Sequence, residues 1–527
     1  MNLKMSLSLN KKKFIYFFFY FTLLIYAIIV AFNLSITSDA GFYINLGKER
    51  IKYILSLGQL KNNLSINQEA FPAIYLSIVG FFAEFFPKNF DIQIFYIVNF
   101  VSSCLGAIGV YKLSKILFNK NIALINFLFF LFFPSFFGHM LINGRDTTIL
   151  ISNIWITYFS IKYLEFNIIK NKKYIIYLSF FLAIGLGVRF HFIATLIPLF
   201  LYIIYKLSFV SKEKKLLFLK DLFLILIISI SLILLFWEPL HTNFFSNLLQ
   251  LFKFNKDNLW GWPYNIINGD IYQSNAYPIL FLFKFFFFKS PEFIIFLYLI
   301  SIFFIFYFYK KIKKKINNFN EKIFLVLLNI FFPLFLTILF EVKIYDGIRL
   351  FLFMIPYFTI IPSLIFYLLI DNFKNIFSRI GLFISLVLIL YFFYFFIKIT
   401  PYHYIYVNRI AGNFSTLSNK FEIDYWGISL NELIKKFNYS NENEIKISVC
   451  GVLPASVKYN LNRLKKNLHY KIVGTNEKPD FYIMVNRIIK NQSSDILTNC
   501  FKEFQGNDVF AVKRLGLDIS LIRESAK

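Results

Sequence analysis

The chain has 527 residues, 58% of them hydrophobic and 74 of them Phe, with 56 Lys and Arg against 29 Asp and Glu. So much apolar surface excludes a soluble globular fold and indicates a polytopic α-helical membrane protein. The formal charge of +27 does not point to nucleic acid as a partner, because the lysines cluster in short loops between hydrophobic spans.

In chain order, residues 14–34 are long and apolar enough to cross a bilayer, and Lys11, Lys12 and Lys13 hold the N-terminus in the cytoplasm. No small-residue cleavage site follows, so this reads as a retained helix and not a signal peptide. Asp39 then emerges on the far side, within Thr37-Ser38-Asp39-Ala40-Gly41-Phe42-Tyr43. Residues 44–60, interrupted by Lys48, Glu49, Arg50 and Lys52, read as an amphipathic helix lying on the outer membrane face. Residues 70–86, with Pro72 and Glu84, are apolar but short. Counting them as a span would put Lys112, Lys115 and Lys120 outside, so they read as re-entrant or interfacial.

From there the spans alternate. Residues 91–111 run inward, and 121–142 return to deliver Asn143-Gly144-Arg145-Asp146 to the outer face. Residues 147–164 run inward to Lys170, Lys172 and Lys173; 174–188 and 190–205 form a pair with Arg189 and His191 at its outer turn. After 222–237, the stretch 238–276 is the longest polar interruption. Its Trp260-Gly261-Trp262-Pro263-Tyr264 run reads as an interfacial aromatic belt ahead of a sugar-stacking platform. Residues 278–288 suit the outer interface, and 293–309 run in to Lys310, Lys311, Lys313, Lys314 and Lys315. Residues 323–340 run out to Tyr345-Asp346-Gly347-Ile348-Arg349, 350–370 return, and 381–397 exit. The sum is about eleven spans in a transmembrane domain over 1–400, with the N-terminus cytoplasmic. The polar remainder, 401–527, is then a small exported α/β domain.

Within that tail, 445–450, 470–473, 481–485 and 509–513 read as strands, and 430–437 and 455–464 as helices. Neither a glycine-rich phosphate loop nor a nucleophile–base–orienter triad is legible there. Cys450 and Cys500 are able to pair if the tail is exported, and Cys104 lies mid-membrane as a small hydrophobe.

Four outward clusters stand out: Asp39 with Tyr43, Arg145 with Asp146, Arg189 with His191, and Tyr345 and Asp346 with Arg349. Singly, each reads as a solvated loop residue or a basic anchor, and Asp146-Thr147-Thr148 also suits a helix N-cap. Together they put carboxylates and guanidiniums on one face of one bundle, where uncompensated charge is costly. That mixture suits displacement of an anionic phosphate, with a carboxylate to take the acceptor's proton.

The chain resembles the GT-C glycosyltransferases, polytopic enzymes that use polyprenyl-phosphate sugars. Within them it is similar to bacterial relatives of protein O-mannosyltransferases and lipid A aminoarabinose transferases. The resemblance is carried by residues 38–43, by 143–146, by 345–353 with Pro356, and by 421–429 in the tail. It implies Asp39 as the general base of an inverting transfer, Asp146 as a second acidic residue, and Arg189 and Arg349 as grips on the lipid phosphate. Tyr43, Arg145, His191, Tyr345 and Asp346 complete the expected substrate-binding set.

Ala40 stands where the family often has a second acidic residue, so no metal requirement is expected, while a divalent ion stays open. The implied partners are a polyprenyl-phosphate sugar, a glycan, lipid or protein acceptor, and the bilayer of a bacterial inner membrane. Two readings from other classes compete. A lipid-linked oligosaccharide flippase or transporter would place its charges near the midplane and show a repeat. A non-catalytic scaffold would leave Asp39 and Asp146 apart.

Overall fold

The computed structural model describes residues 9–60, 64, 74–165, 172–241, 243–257, 261–340, 342–439, 443–475, 477–490 and 496–526. Pro72, Lys170, Trp260 and the first residues of the 70–86 segment lie outside them.

Helices occupy every stretch expected to span, though fewer than eleven of the described ones are by themselves long and apolar enough to cross a membrane. Among the described residues, six helices are long and apolar enough to cross a membrane, or seven if one bent pair counts as a span. The shortfall has local causes. The helices Lys172–Leu186 and Ile197–Ser208 are short, and Asp146–Glu165 carries Ser152, Asn153, Thr157 and Ser160 buried among its apolar residues. The bent pair, Lys120–Leu131 and Pro134–Ile142, turns by 65°. Pro134 explains the turn: it cannot extend the first helix but suits the first turn of the second. The second half of that pair leads straight to Asn143-Gly144-Arg145-Asp146.

The helix Ala40–Leu55 also departs from expectation. Its basic residues do not all face solvent. Arg50 is fully buried, ion-paired with Glu238 and bonded to the Phe236 carbonyl at 3.0 Å, while Lys48 meets Asp91 at 2.8 Å. The helix lies backbone to backbone against Ile74–Glu84, with Gly47 and Gly80 at the crossing, where any Cβ would collide with the facing main chain. The helix Ile74–Glu84 has 11 residues. At about 1.5 Å rise per residue, this described stretch is shorter than a hydrocarbon core of about 30 Å.

The 238–276 stretch folds into a short helix, Phe244–Asp257, and a hairpin of β1 (Tyr264–Ile267) and β2 (Asp270–Gln273). In the tail, β3 (Ile445–Cys450), β4 (Tyr470–Ile472) and β5 (Phe481–Val485) pair in parallel through β3. A small ribbon of β6 (Ile488–Lys490) and β7 (Leu497–Asn499) follows. The hairpin of β8 (Gly506–Arg514) and β9 (Leu517–Ser525) then completes a sheet ordered β4-β3-β5-β9-β8. The helix Pro454–Leu464 makes the crossover that a parallel β3–β4 pair requires. Strand β9, not foreseen from the sequence, is central and alternates apolar with polar side chains at its start. Cys450 and Cys500 form a disulfide, and Cys104 is free.

This tail sits directly on the loop that follows the first helix. Ser35 N–H donates to the Ile428 carbonyl at 3.0 Å, and Asn431 and Asn460 reach the Asn33 carbonyl and Ser35 Oγ, both at 2.7 Å. The segment that leads to Asp39 is therefore clamped between the helical bundle and the tail.

Candidate active site

Asp39 is half-buried, at the N-cap position of Ala40–Leu55, but its side chain makes no capping bond. The loop before it is pinned by Tyr96, whose hydroxyl donates to Ser35 O at 2.6 Å and accepts from Thr37 N–H at 3.2 Å. One helical turn on, the Tyr43 hydroxyl donates to Asp39 Oδ2 at 3.2 Å and accepts from Arg145 Nη1 at 3.1 Å. Arg145 also stacks over the Tyr43 ring, 5.4 Å from its centroid. Burial pushes the Tyr43 phenol up to about 12, against the pull of Arg145 and Arg349. It therefore stays protonated as a donor to Asp39.

Arg145 leads directly into Asp146, which is buried at the start of Asp146–Glu165. The capping reading of Asp146 does not hold. Asn143 caps this helix instead, accepting Asp146 N–H on Oδ1 at 3.0 Å. The Asp146 carboxylate is left for other partners: Asn143 Nδ2 at 2.9 Å, Arg189 Nη2 at 3.1 Å and Arg349 Nη1 at 3.5 Å. Burial alone would raise this carboxyl, but Arg189 and Arg349 outweigh burial and hold it below the ordinary range.

Arg349 extends the network toward the tail. Its Nη2 meets Asp346 Oδ2 at 2.7 Å, and its guanidinium lies 4.9 Å from the ring centroids of both Tyr345 and Trp426. Its buried Nε has no hydrogen-bond partner among the described residues. Asp346 sits in the left-handed region at φ 57°, followed by Gly347 at φ 68°, a turn that an Asp tolerates and a glycine completes.

The far oxygen of Asp346 is ion-paired with Arg487, which comes from the tail between β5 and β6. Arg487 also donates to the Tyr425 carbonyl at 2.7 Å and covers the Trp262 ring at 4.1 Å. Trp262 is half-buried, and its indole N–H donates to the Ile488 carbonyl at 2.7 Å, fixing the segment before β1 onto the tail.

Beside Gly347 lies a small cavity of about 10 Å³, room for one water, lined in part by His139, Lys289, Glu422 and Tyr425. Burial pushes the Lys289 ammonium down to about 7, and pushes Glu422 up to about 7 against the pull of Arg487. His139 Nε2 and the Tyr425 hydroxyl are hydrogen-bonded at 2.9 Å.

The expected residues thus form one connected row: Asp39, Tyr43 and Arg145 at one end, then Arg189, Asp146, Arg349 and Asp346, with Tyr345 stacked beneath Arg349. His191 does not join it; the side chain is exposed on the turn, and none of the contacts above reaches it. Arg487, Trp262 and Glu422 were missed as site neighbours. Arg487 is one of many basic residues in a lysine-rich chain, and no local pattern marks it. The described residues contain no group of three or more His, Cys, Asp or Glu side chains placed to hold a metal ion.

The family model described as dolichyl-phosphate-mannose-protein mannosyltransferase matches residues 72–236, a segment that includes Arg145, Asp146 and Arg189. No curated protein matches the chain by sequence. Among solved structures, ArnT from Cupriavidus metallidurans bound to undecaprenyl phosphate is 9% identical with a TM-score of 0.46, covering 96% of this chain and 98% of that one. The Archaeoglobus fulgidus oligosaccharyltransferase AglB, in complex with an inhibitory peptide and a dolichol-phosphate, is 11% identical with a TM-score of 0.47. That alignment covers 91% of this chain and 70% of AglB.

Proposed function

We propose that the chain is an inverting glycosyltransferase that moves a sugar from a polyprenyl-phosphate donor to a glycan, lipid or protein acceptor at the outer membrane face. The observation that carries this reading is the row itself. At one end stands Asp39, a half-buried carboxylate with one donor hydrogen bond described and no capping duty. Beside it stand Arg145, bonded to Tyr43, and the guanidiniums of Arg189 and Arg349 on a single buried carboxylate, Asp146. The partial match to the mannosyltransferase family supports the same class of donor.

In this reading the acceptor's hydroxyl or amine gives its proton to Asp39 as its heteroatom bonds to the anomeric carbon. The bond from that carbon to the phosphate oxygen breaks, and polyprenyl phosphate leaves with the electron pair. Arg189 and Arg349 face the growing phosphate charge, and Asp146 keeps both aimed at one point. Arg145 holds Tyr43, and Tyr43 orients Asp39. The Cys450–Cys500 disulfide favours an oxidising, exported side for the tail.

The test is sugar transfer from labelled polyprenyl-phosphate sugars by the purified protein and its Asp39→Asn variant. The swap keeps the shape and removes the base, so transfer should fall at least about a hundredfold. Equal rates in the two proteins would remove Asp39 from the mechanism. Movement of intact lipid-linked sugar without transfer would replace the reading with transport.

A further inference from the structure

Arg487 belongs to the tail, far in sequence from every residue of the row, yet it is buried against it. Its position is fixed from several sides: Trp262 beneath at 4.1 Å, the Tyr425 carbonyl at 2.7 Å, Glu422 at 3.6 Å from Nε, and Asp346 on Nη2. Asp346 shares its two oxygens between Arg487 and Arg349. Charge counting shows what this sharing does. A carboxylate held by Arg349 alone would neutralise it. One divided between two guanidiniums leaves Arg189, Arg349 and Arg487 facing only Asp146 and Asp346 before the more distant Glu422 is counted; at Arg349, Nε has no hydrogen-bond partner among the described residues and Asp146 is only loosely engaged at 3.5 Å.

We propose that Arg487 is a positioning residue, by which the tail domain draws charge from Asp346 so that Arg349 keeps its positive charge for the phosphate of the lipid donor. This rests on the glycosyl-transfer reading above. The consequence is that the tail is part of the phosphate-binding unit and not an appended acceptor module. Burial makes the effect large, because a desolvated pair is screened little by salt. Trp262 adds a second tie, since the segment before β1 packs against the same guanidinium.

The experiment measures equilibrium binding of labelled undecaprenyl phosphate, and of undecaprenol as the uncharged control, to the detergent-solubilised full chain. Wild type should prefer the phosphate. Arg487→Gln should weaken phosphate binding about tenfold or more and leave undecaprenol binding unchanged, with Arg487→Lys intermediate. The decisive variant is Arg487→Gln combined with Asp346→Asn: removing the unshared carboxylate frees Arg349, so binding should recover by most of that factor. A purely structural Arg487 predicts further loss in the double variant, and that result would overturn the inference, as would unchanged binding in Arg487→Gln. If wild type binds undecaprenyl phosphate and undecaprenol alike, the lipid-phosphate reading falls and takes this inference with it.

Discussion

The two ends of the helical bundle use the same residue types to opposite effect. At the tail-facing end, Arg349, Asp346 and Arg487 are each no more than 7% exposed and share their charges in one connected row. At the lysine-rich end, Lys311 and Lys315 meet Asp371 at 3.1 and 2.5 Å with their side chains 42% and 39% exposed. The helix Glu292–Lys315 runs between the two, its first residue accepting bonds from Tyr406 and Arg409 of the tail. Ion pairs that water can reach are worth little, whereas buried ones are costly to break because the survivor is stranded. The lysine-rich end is therefore held by pairs of little worth, and the tail-facing row by pairs that are costly to break.

The strongest way to break that contrast is Asp346→Ala. It strands two buried guanidiniums and should cost about 3–5 kcal/mol of stability, read by thermal unfolding in detergent. A loss under about 1 kcal/mol would place the row in the same class as the surface pairs. The next largest effect belongs to the disulfide that braces the tail. Replacing Cys450 and Cys500 by Ser opens a link spanning a sequence separation of 50 and should cost about 4 kcal/mol in tail unfolding.

Glu422 offers a pH readout. Burial raises its folded pKa from an ordinary 4.5 to about 7, with Arg487 opposing and Asp346 adding. A raised carboxyl favours folding fully below the unfolded value and loses that contribution as pH rises through the folded one. Between pH 4.5 and about 7, wild type should therefore lose on the order of 3 kcal/mol relative to Glu422→Gln. Parallel stability curves for the two proteins over that range would contradict the assignment. The smallest effect is expected at the other end: Asp371→Asn should change stability by less than about 1 kcal/mol, and by less again at high salt.

The membrane character was legible in sequence because hydrocarbon admits only helices or closed barrels, and long apolar runs between lysine clusters have one economical reading. The same logic counted eleven spans, where six or seven of the described helices are long and apolar enough to cross a membrane. Periodicity cannot tell a helix buried inside the bundle, such as Asp146–Glu165 with its polar lining, from one that meets lipid. It also could not see that Pro134 bends one span by 65° and aims its second half at the site. In the tail, the short apolar runs announced four strands, whereas β9 went unseen because its second half, Arg523-Glu524-Ser525, reads as a polar terminus.

For the candidate site, the sequence alone determined which polar residues emerge beside apolar spans, and the fold brings Asp39, Tyr43, Arg145, Asp146, Arg189, Tyr345, Asp346 and Arg349 close together. The sequence placed His191 with them only because it neighbours Arg189, and a turn can send adjacent side chains to different places. The tertiary structure alone decided that Asn143 and not Asp146 caps the helix, that Asp346 divides its charge, and that Arg487 arrives from 141 residues away to share it. The physical reason is one of range. Hydrophobicity acts residue by residue and leaves its mark along the chain, but an ion pair is written by whichever two segments the fold brings within about 4 Å.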